Sequence, residues 1–257
     1  MSDAVPVFST PSPRIRRVAV DRPWVWLAQG WRDFLALPRV SLTAGIGIVV
    51  ISVLLTALVL ISGYVYLLLP LSAGFFFIAP VLAVGLYEAS RRREAGFSIT
   101  LQEAVWACQR NGAQIALMGL VLMLLHLAWV RIATLLFALF FQNTNLSLDR
   151  WVETLFFSPV SLPFLVTGGA IGFILAAVAF GIGVVSIPML LDRDVNVFTA
   201  IATSWVAARV NWAAMSLWAA LIVVFTVIGL LTFYIGLAIT VPLIAHASWH
   251  AYRDLVE

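Results

Sequence analysis

Long apolar runs dominate the chain and alternate with short polar segments. Because the hydrocarbon core of a bilayer is about 30 Å thick, a helix needs about 20 residues to cross it. Apolar runs of at least that length occupy residues 40–88, 113–141, 164–190 and 213–248. The first and the last are too long for one helix, and each is interrupted by small or polar residues, namely Ser62 and Gly63, then Gly229 and Thr232. The pattern therefore predicts six transmembrane helices.

The predicted fold is all-α: a polytopic transmembrane helical bundle of about six spans, arranged as three hairpins, each preceded by a short interfacial amphipathic helix. The predicted spans are about 41–62, 66–88, 113–134, 165–190, 212–230 and 233–250. They belong to a single transmembrane domain, residues 21–254. Residues 1–20 hold three prolines and several arginines without a long apolar run, which is typical of a disordered basic tail.

Composition excludes a water-soluble fold and indicates a lipid environment. Hydrophobic residues make up 63% of the 257 residues and charged residues only 11%, whereas a soluble domain usually has about 25% charged residues. The basic residues are fifteen arginines without a lysine. They do not gather in one basic module, as a nucleic-acid-binding domain would require. We therefore expect the lipid bilayer as a partner and no nucleic acid.

The uneven distribution of the arginines predicts the orientation. With six spans, thirteen of the fifteen arginines lie on the side of the N-terminal segment, and only Arg131 and Arg150 fall elsewhere. Loops on the cytoplasmic side of a membrane carry an excess of arginine and lysine. The sequence thus predicts a multi-pass protein of the bacterial inner (cytoplasmic) membrane with its N-terminus and C-terminus in the cytoplasm.

An amphipathic helix, a span out and a span back occur three times along the chain. The first helix is predicted to begin at Asp21, as its N-cap, with an apolar stripe of Trp24, Leu27, Ala28, Trp31, Phe34 and Leu35. In the other two, Trp106 and Trp205 precede Arg110 and Arg209 by four residues. The returning spans carry Pro80, Pro188 and Pro242. The alternative is that apolar sequence of low complexity aligns with itself by chance.

Four short motifs carry a family resemblance. They are Gly30–Asp33, Gly85–Glu88, Ser186–Arg193 and His246–Arg253. With these motifs the chain resembles the bacterial integral membrane proteins called domain of unknown function 2189, over residues 22–254. The resemblance implies a multi-pass membrane protein and no particular activity.

Two residue sets on the predicted inner face are candidate sites. His246, His250 and Asp254 share one face of the last helix, a spacing that can hold a metal ion. Histidines near a helix C-terminus also cap carbonyl groups or face lipid headgroups. We favour that structural role, so no metal and no cofactor is predicted.

The second candidate set is polar and lies where the returning spans leave the membrane. Its members are Glu88, Asp192, His246, Arg91 and Arg193. Carboxylates next to arginines at this level are expected to form ion pairs at the membrane surface. The alternative is a cytoplasmic vestibule in which these groups receive a solute or a proton.

Deeper in the bundle, span three contains His126 and Arg131. Since an arginine at the centre of a membrane helix costs free energy, we predict that this span ends near Trp129 and that Arg131 reaches the outer headgroups.

In span four, Gly168, Gly172 and Ala176 follow one another at intervals of four residues, a spacing of small residues that lets two helices approach closely. This contact is either within the bundle or between two copies of the chain.

No nucleotide-binding loop, complete metal cluster or nucleophile paired with a base is present in the sequence. We therefore expect a protein that is not an enzyme: an accessory or scaffold component of a membrane complex, with other inner-membrane proteins as candidate partners. No soluble substrate can be identified. The first alternative is a small-solute transporter or channel, because broken helices and repeats are common in transporters. The second is a membrane-embedded metal-dependent enzyme.

The predicted orientation can be tested with a topology reporter. A reporter fused after Glu257 should be active in the cytoplasm, because an even number of spans returns the chain to its starting side. A reporter at the predicted outer turn near Gly63 serves as the control and should be exported. Export of the C-terminal reporter would contradict the six-span prediction.

Overall fold

The computed structural model describes residues 13–142 and 150–257 and confirms an all-α membrane bundle. Twelve α-helices and two 3₁₀ turns, Val65–Leu67 and Ala107–Asn111, occur in these residues. The helices are α1 Arg22–Ala36, α2 Pro38–Ile61, α3 Leu68–Leu82, α4 Val84–Glu94, α5 Leu101–Trp106, α6 Gly112–Phe140, α7 Trp151–Phe157, α8 Ser161–Gly183, α9 Ser186–Asp192, α10 Val197–Val210, α11 Trp212–Leu231 and α12 Leu237–Leu255.

The long helices run between two different ends of the bundle. One end, which we call the polar end, contains α1, α4, α5, α9, α10 and the last turns of α12, together with most of the charged side chains. The opposite end is aromatic, with Tyr66, Phe137 and Phe141 stacked in sequence at 5.2 Å between ring centroids. Side chains from distant parts of the chain therefore meet at each end.

Within the described ranges, four helical segments are long and apolar enough to cross a bilayer. They are Pro38–Ile61, Leu101–Phe140, Ser161–Asp192 and Trp212–Leu231. The other two predicted spans correspond to α3 with α4, which are separate helices, and to α12, which carries several polar residues. The membrane bundle is thus established, and the count of six spans stays a prediction.

Two of the three returning segments are broken near a proline. α3 contains Pro80 and ends at Leu82, and the chain continues as α4 from Val84. α8 ends at Gly183, and α9 begins two residues before Pro188. α12 instead continues through Pro242. Because Pro188 lacks an N–H, the carbonyl four residues before it loses its helical donor, which accounts for the break before α9. α3, like α12, continues past its proline.

The first amphipathic helix buries a different face from the one predicted. Trp26, Leu27, Asp33 and Phe34 of α1 pack into the bundle. The predicted apolar stripe is therefore split, with exposed residues at Trp24, Trp31 and Leu35. Asp21 stands at the N-cap position as expected, but its side chain caps no backbone N–H. The stripe was predicted from apolar residues alone, whereas the buried face also contains a carboxylate.

Part of the predicted N-terminal tail has a defined structure. Ile15 and Val256 form an antiparallel β-bridge, in which Arg16 N donates to Leu255 O at 2.9 Å. The Asn211 side chain accepts from Val18 N at 2.9 Å and donates to Arg16 O at 3.0 Å. Residues 13–20 are thereby held against the end of α12 and the start of α11. Residues 1–12 of the predicted tail lie outside the described residues.

α12 lies at the centre of the polar end and approaches its neighbours closely through glycines. A Cβ atom on Gly30 of α1 would lie 2.6 Å from the backbone nitrogen of Ala247. A Cβ atom on Gly45 of α2 would lie 2.2 Å from the carbonyl oxygen of Ala238. Neither position leaves room for a side chain, so these two glycines set the distance of α1 and α2 from α12.

We predict that Gly45→Ala lowers the thermal unfolding temperature of the purified protein in detergent. The new methyl group must push α2 away from α12, and overpacking of this kind costs about 1–3 kcal/mol, which corresponds to several degrees at about 2–4 °C per kcal/mol. Gly47→Ala on the same helix is the matched control, because its Cβ would meet no atom within 4 Å. Equal unfolding temperatures for both variants would contradict this packing.

Candidate functional site

A buried carboxylate connects three helices at the polar end. Asp33 of α1 is only 1% exposed. Its Oδ2 atom accepts hydrogen bonds from Ser90 Oγ of α4 at 2.5 Å and from His250 Nε2 of α12 at 2.8 Å. Its Oδ1 atom accepts from a guanidinium N–H of Arg93. A charge can be buried only with such donors around it, so Asp33 fixes the relative positions of α1, α4 and α12.

His246 extends this network to a fourth helix. The imidazole is fully buried, with Nδ1 at 2.7 Å from Ser90 Oγ and Nε2 at 3.0 Å from Ser41 Oγ of α2. Because the Ser90 hydroxyl donates its one hydrogen to Asp33, Ser90 Oγ accepts from His246 Nδ1. A buried imidazole without a carboxylate contact is neutral, so Nε2 accepts from the Ser41 hydroxyl.

The resulting hydrogen bonds all point in one direction. Ser41 donates to His246, His246 donates to Ser90, and Ser90 donates to Asp33. Burial by itself would raise the pKa of Asp33, but the hydrogen bonds from His250 and Ser90 outweigh burial and lower the pKa of its carboxyl below the usual value. Asp33 is therefore the anionic end of the chain of donors, which we call the Asp33 network.

A second cluster surrounds Glu88 of α4, whose side chain is 2% exposed. Arg91 donates to both carboxylate oxygens, at 2.7 and 2.8 Å, and Arg92 donates to Oε1 at 2.9 Å. Arg110 approaches the same oxygen at 4.0 Å. Arg92 also donates to Glu103 of α5 at 2.6 Å. The cluster joins α4 to the segment that leads into α6.

A third cluster joins α9 to α12 through a buried phenol. The Tyr252 hydroxyl donates to Asp192 Oδ2 at 2.8 Å and accepts from Arg193 Nε at 2.9 Å. Arg253 also lies 3.6 Å from Asp192. Burial and the nearby carboxylate of Asp192 raise the pKa of Tyr252 above its usual value. The phenol is therefore neutral and serves as a donor at physiological pH.

The structure divides the residues predicted as one polar site. Glu88 and Arg91 form an ion pair in the second cluster, and Asp192 and Arg193 share Tyr252 in the third. His246 lies in the Asp33 network and contacts neither carboxylate by a hydrogen bond. The expected pairing of acids with arginines is therefore observed, with Arg91 at Glu88 and Arg253 at Asp192.

The three weak metal-ligand candidates also have separate partners. His246 binds two serines and His250 binds Asp33. Asp254 accepts two hydrogen bonds from Arg22, at 2.7 and 3.1 Å, and one from Trp26 Nε1 at 2.9 Å. In the described ranges, no group of three His, Cys, Asp or Glu side chains is arranged to hold a metal ion.

The deeper candidates have different surroundings. α6 continues to Phe140, so the apolar stretch beyond Trp129 is helical, and the end of the span near Trp129 stays a prediction. No glycine or proline between these residues could stop the helix. Arg131 is exposed on the bundle surface, about 28 Å along the helix from Gly112 at about 1.5 Å per residue, which agrees with a position near headgroups. His126 packs against Gly74, and its Nδ1 has no hydrogen-bond partner among the described residues.

Sequence reasoning missed the main acidic residue of the site. The motif Gly30–Asp33 contains this residue without indicating its role, and neither candidate set contains Ser41 or Ser90. The signal was present, because Asp33 lies seven residues after Trp26 and therefore on the same helix face, which is the buried one. A further missed signal is Thr100 with Glu103, which form a capping box at the start of α5.

Comparison with known families adds one finding. Residues 68–192 match the predicted integral membrane proteins called domain of unknown function 2189. The match agrees with the predicted resemblance over this range. It extends from the start of α3 to the end of α9 and covers just under half of the 257 residues. Glu88, Ser90 and Asp192 lie inside the matched range, whereas Asp33 and His246 lie outside it. No curated protein and no solved structure is significantly similar to the chain.

We predict that Asp33→Asn lowers the free energy of unfolding by about 3 kcal/mol, because Arg93 and His250 lose the buried charge that binds them. The dependence on pH should also change. Since the folded pKa of Asp33 is depressed, its stabilisation is present above the unfolded pKa of about 3.9 and is lost as pH falls through the lower, folded value. Thermal unfolding in detergent between pH 7 and pH 3 measures both effects.

Asp21→Asn is the control for this experiment, because Asp21 is exposed and its side chain caps nothing. This variant should stay within about 0.5 kcal/mol of the unaltered protein. If both substitutions lowered the free energy of unfolding by a similar amount, Asp33 would have no special role in joining the helices.

Proposed function

We propose that the protein is a non-enzymatic accessory or scaffold component of a membrane complex, in the bacterial inner membrane and with both termini in the cytoplasm. The arginine distribution supports this orientation. One observation carries the proposed function: the candidate acids at the polar end are already bound by nearby donors. Arginines of its own helix bind Glu88, whereas side chains of other helices bind Asp192 and Asp254. The bonds of Asp192 and Asp254 hold helices together.

The burial of these acids supports this interpretation. A catalytic or transport carboxylate has to meet its substrate, whereas Asp33 and Glu88 are each only 1% exposed. A polar cavity of about 500 Å³ lies beside α4 and α5. Arg91 and Arg92 line it, yet both already bind Glu88. The cavity is thus a hollow in the surface, next to arginines that are already paired with Glu88.

The rigidity of the polar end also suits a scaffold. The Asp33 network, the two arginine clusters and the β-bridge of Ile15 with Val256 connect segments from the beginning, middle and end of the chain. Outside this connected region, the exposed side chains Trp24, Trp106 and Trp205 lie on α1, α5 and α10. A fixed platform with exposed aromatic side chains can bind lipid headgroups and a neighbouring protein at the same level.

A small-solute transporter is the second candidate. The breaks between α3 and α4 and between α8 and α9 favour it, because discontinuous helices form the binding sites of many transporters. In those transporters, however, the free backbone groups at the break face a cavity. Here Ala83 and Val185, which lie at the two breaks, are buried among apolar side chains.

The two candidates predict different results for Glu88→Gln. For a scaffold, purification in a mild detergent retains a partner protein in constant ratio, and crosslinking in native membranes captures the same neighbour. The substitution should weaken that association and lower the unfolding temperature, because three arginines lose their shared anion. Glu153→Gln, at an exposed position of α7, is the matched control and should change neither property.

Flux measurements distinguish the transporter. Vesicles containing the purified protein and a pH-sensitive or chloride-sensitive dye should show no flux above empty vesicles. A lone species that conducts protons or chloride, with a flux that Glu88→Gln abolishes and Glu153→Gln does not, would overturn the scaffold proposal.

A further inference from the structure

An apolar cavity of about 470 Å³ lies towards the aromatic end, between α3, α6 and α8. Aromatic side chains form much of its wall, namely Tyr66, Phe77, Trp129, Phe137 and Phe164. Its floor is the backbone of α8 at Gly168, Gly169 and Gly172. The small residues predicted to bring two helices together therefore also leave a hollow beside them.

Fixed side chains keep this cavity open. Trp129 Nε1 donates to Pro70 O at 2.9 Å, which ties the indole to α3. Gly172 supports the same ring from the other side, since a Cβ there would lie 3.0 Å from it. A Cβ on Gly169, in contrast, would meet no atom within 4 Å. The hollow thus has a rigid wall at Trp129 and free space above Gly169.

The entrance to the cavity is continuous with the surface that faces lipid. Leu69, Leu165 and Phe173 line the cavity and are 40%, 36% and 74% exposed. These side chains belong to membrane-embedded helices, where the surrounding medium is hydrocarbon. Water would gain few hydrogen bonds inside, because an apolar cavity offers too few polar partners to hold it.

We propose that this cavity binds one acyl chain of a bilayer phospholipid. An apolar cavity of about 150 Å³ already accepts benzene, so a cavity about three times larger accommodates a long hydrocarbon segment. The volume also lies within the range of about 300–1,000 Å³ of small-molecule sites. The tail enters sideways past Phe173, and its headgroup stays at the membrane surface on the side of Tyr66, since tyrosine favours that level.

A photoactivatable phospholipid tests the proposal. The purified protein is placed in phosphatidylethanolamine and phosphatidylglycerol vesicles that contain a phospholipid with a diazirine in one tail. After illumination, crosslinked residues are mapped by mass spectrometry. Crosslinks should concentrate on cavity residues such as Ala133, Leu136 and Phe173, above the level on the lipid-facing side of α2.

Gly169→Leu should reduce the cavity crosslinks about tenfold, because the new side chain occupies the space of about two methylene groups of the tail. Gly47→Leu is the matched control. It also points into open space, but it lies on α2 away from the cavity, and it should leave the crosslinks unchanged. If Gly169→Leu fails to fold, as judged by size-exclusion chromatography, Ala176→Leu fills the cavity from another position.

Three outcomes would overturn the proposal. The first is an even distribution of crosslinks around the bundle, and the second is unchanged cavity labelling in the filled variants. The third is labelling by a free diazirine fatty acid but not by the phospholipid. A separate experiment tests the other occupant: if a residue-to-residue crosslinker joins the cavity residues to a second copy of the chain, another helix, and not a lipid tail, occupies the cavity, and the proposal is overturned as well.

Discussion

The arrangement of the polar end depends on one ionised carboxylate in an apolar surrounding. Removing a charge from water costs several kcal/mol unless donors replace the lost hydration. Asp33 obtains its donors from α4 and α12, and His246 relays the network to α2. Hydrogen bonds weaken steeply when their distance or angle changes, so these bonds oppose sliding of the helices. The carboxylate therefore specifies one register for the four helices.

Different interactions hold the two ends of the bundle together. At the polar end, hydrogen bonds and ion pairs join segments that are distant in sequence. At the aromatic end, ring stacking and the indole of Trp129 position the helices. Ring contacts are less directional than charged hydrogen bonds. This difference agrees with the dense hydrogen bonding around Asp33 and with a cavity beside Gly169.

The sequence was sufficient to predict the membrane bundle, because hydropathy and length directly reflect the solvent of a helix. Pairing of Glu88 with nearby arginines was also predictable, since i+3 and i+4 residues share a helix face. The partners of Asp33 were not, because Ser90, Arg93 and His250 are separated from it by 57 to 217 residues. Which helices meet depends on tertiary packing.

The order of biosynthesis gives the Asp33 network a further consequence. Asp33 leaves the ribosome long before His250, which follows it by 217 residues. Until α12 has been synthesised and inserted, the carboxylate lacks both the imidazole that binds it and the helix that covers it. The early helices consequently stay in a provisional arrangement, and the final geometry of the polar end forms only when α12 joins it.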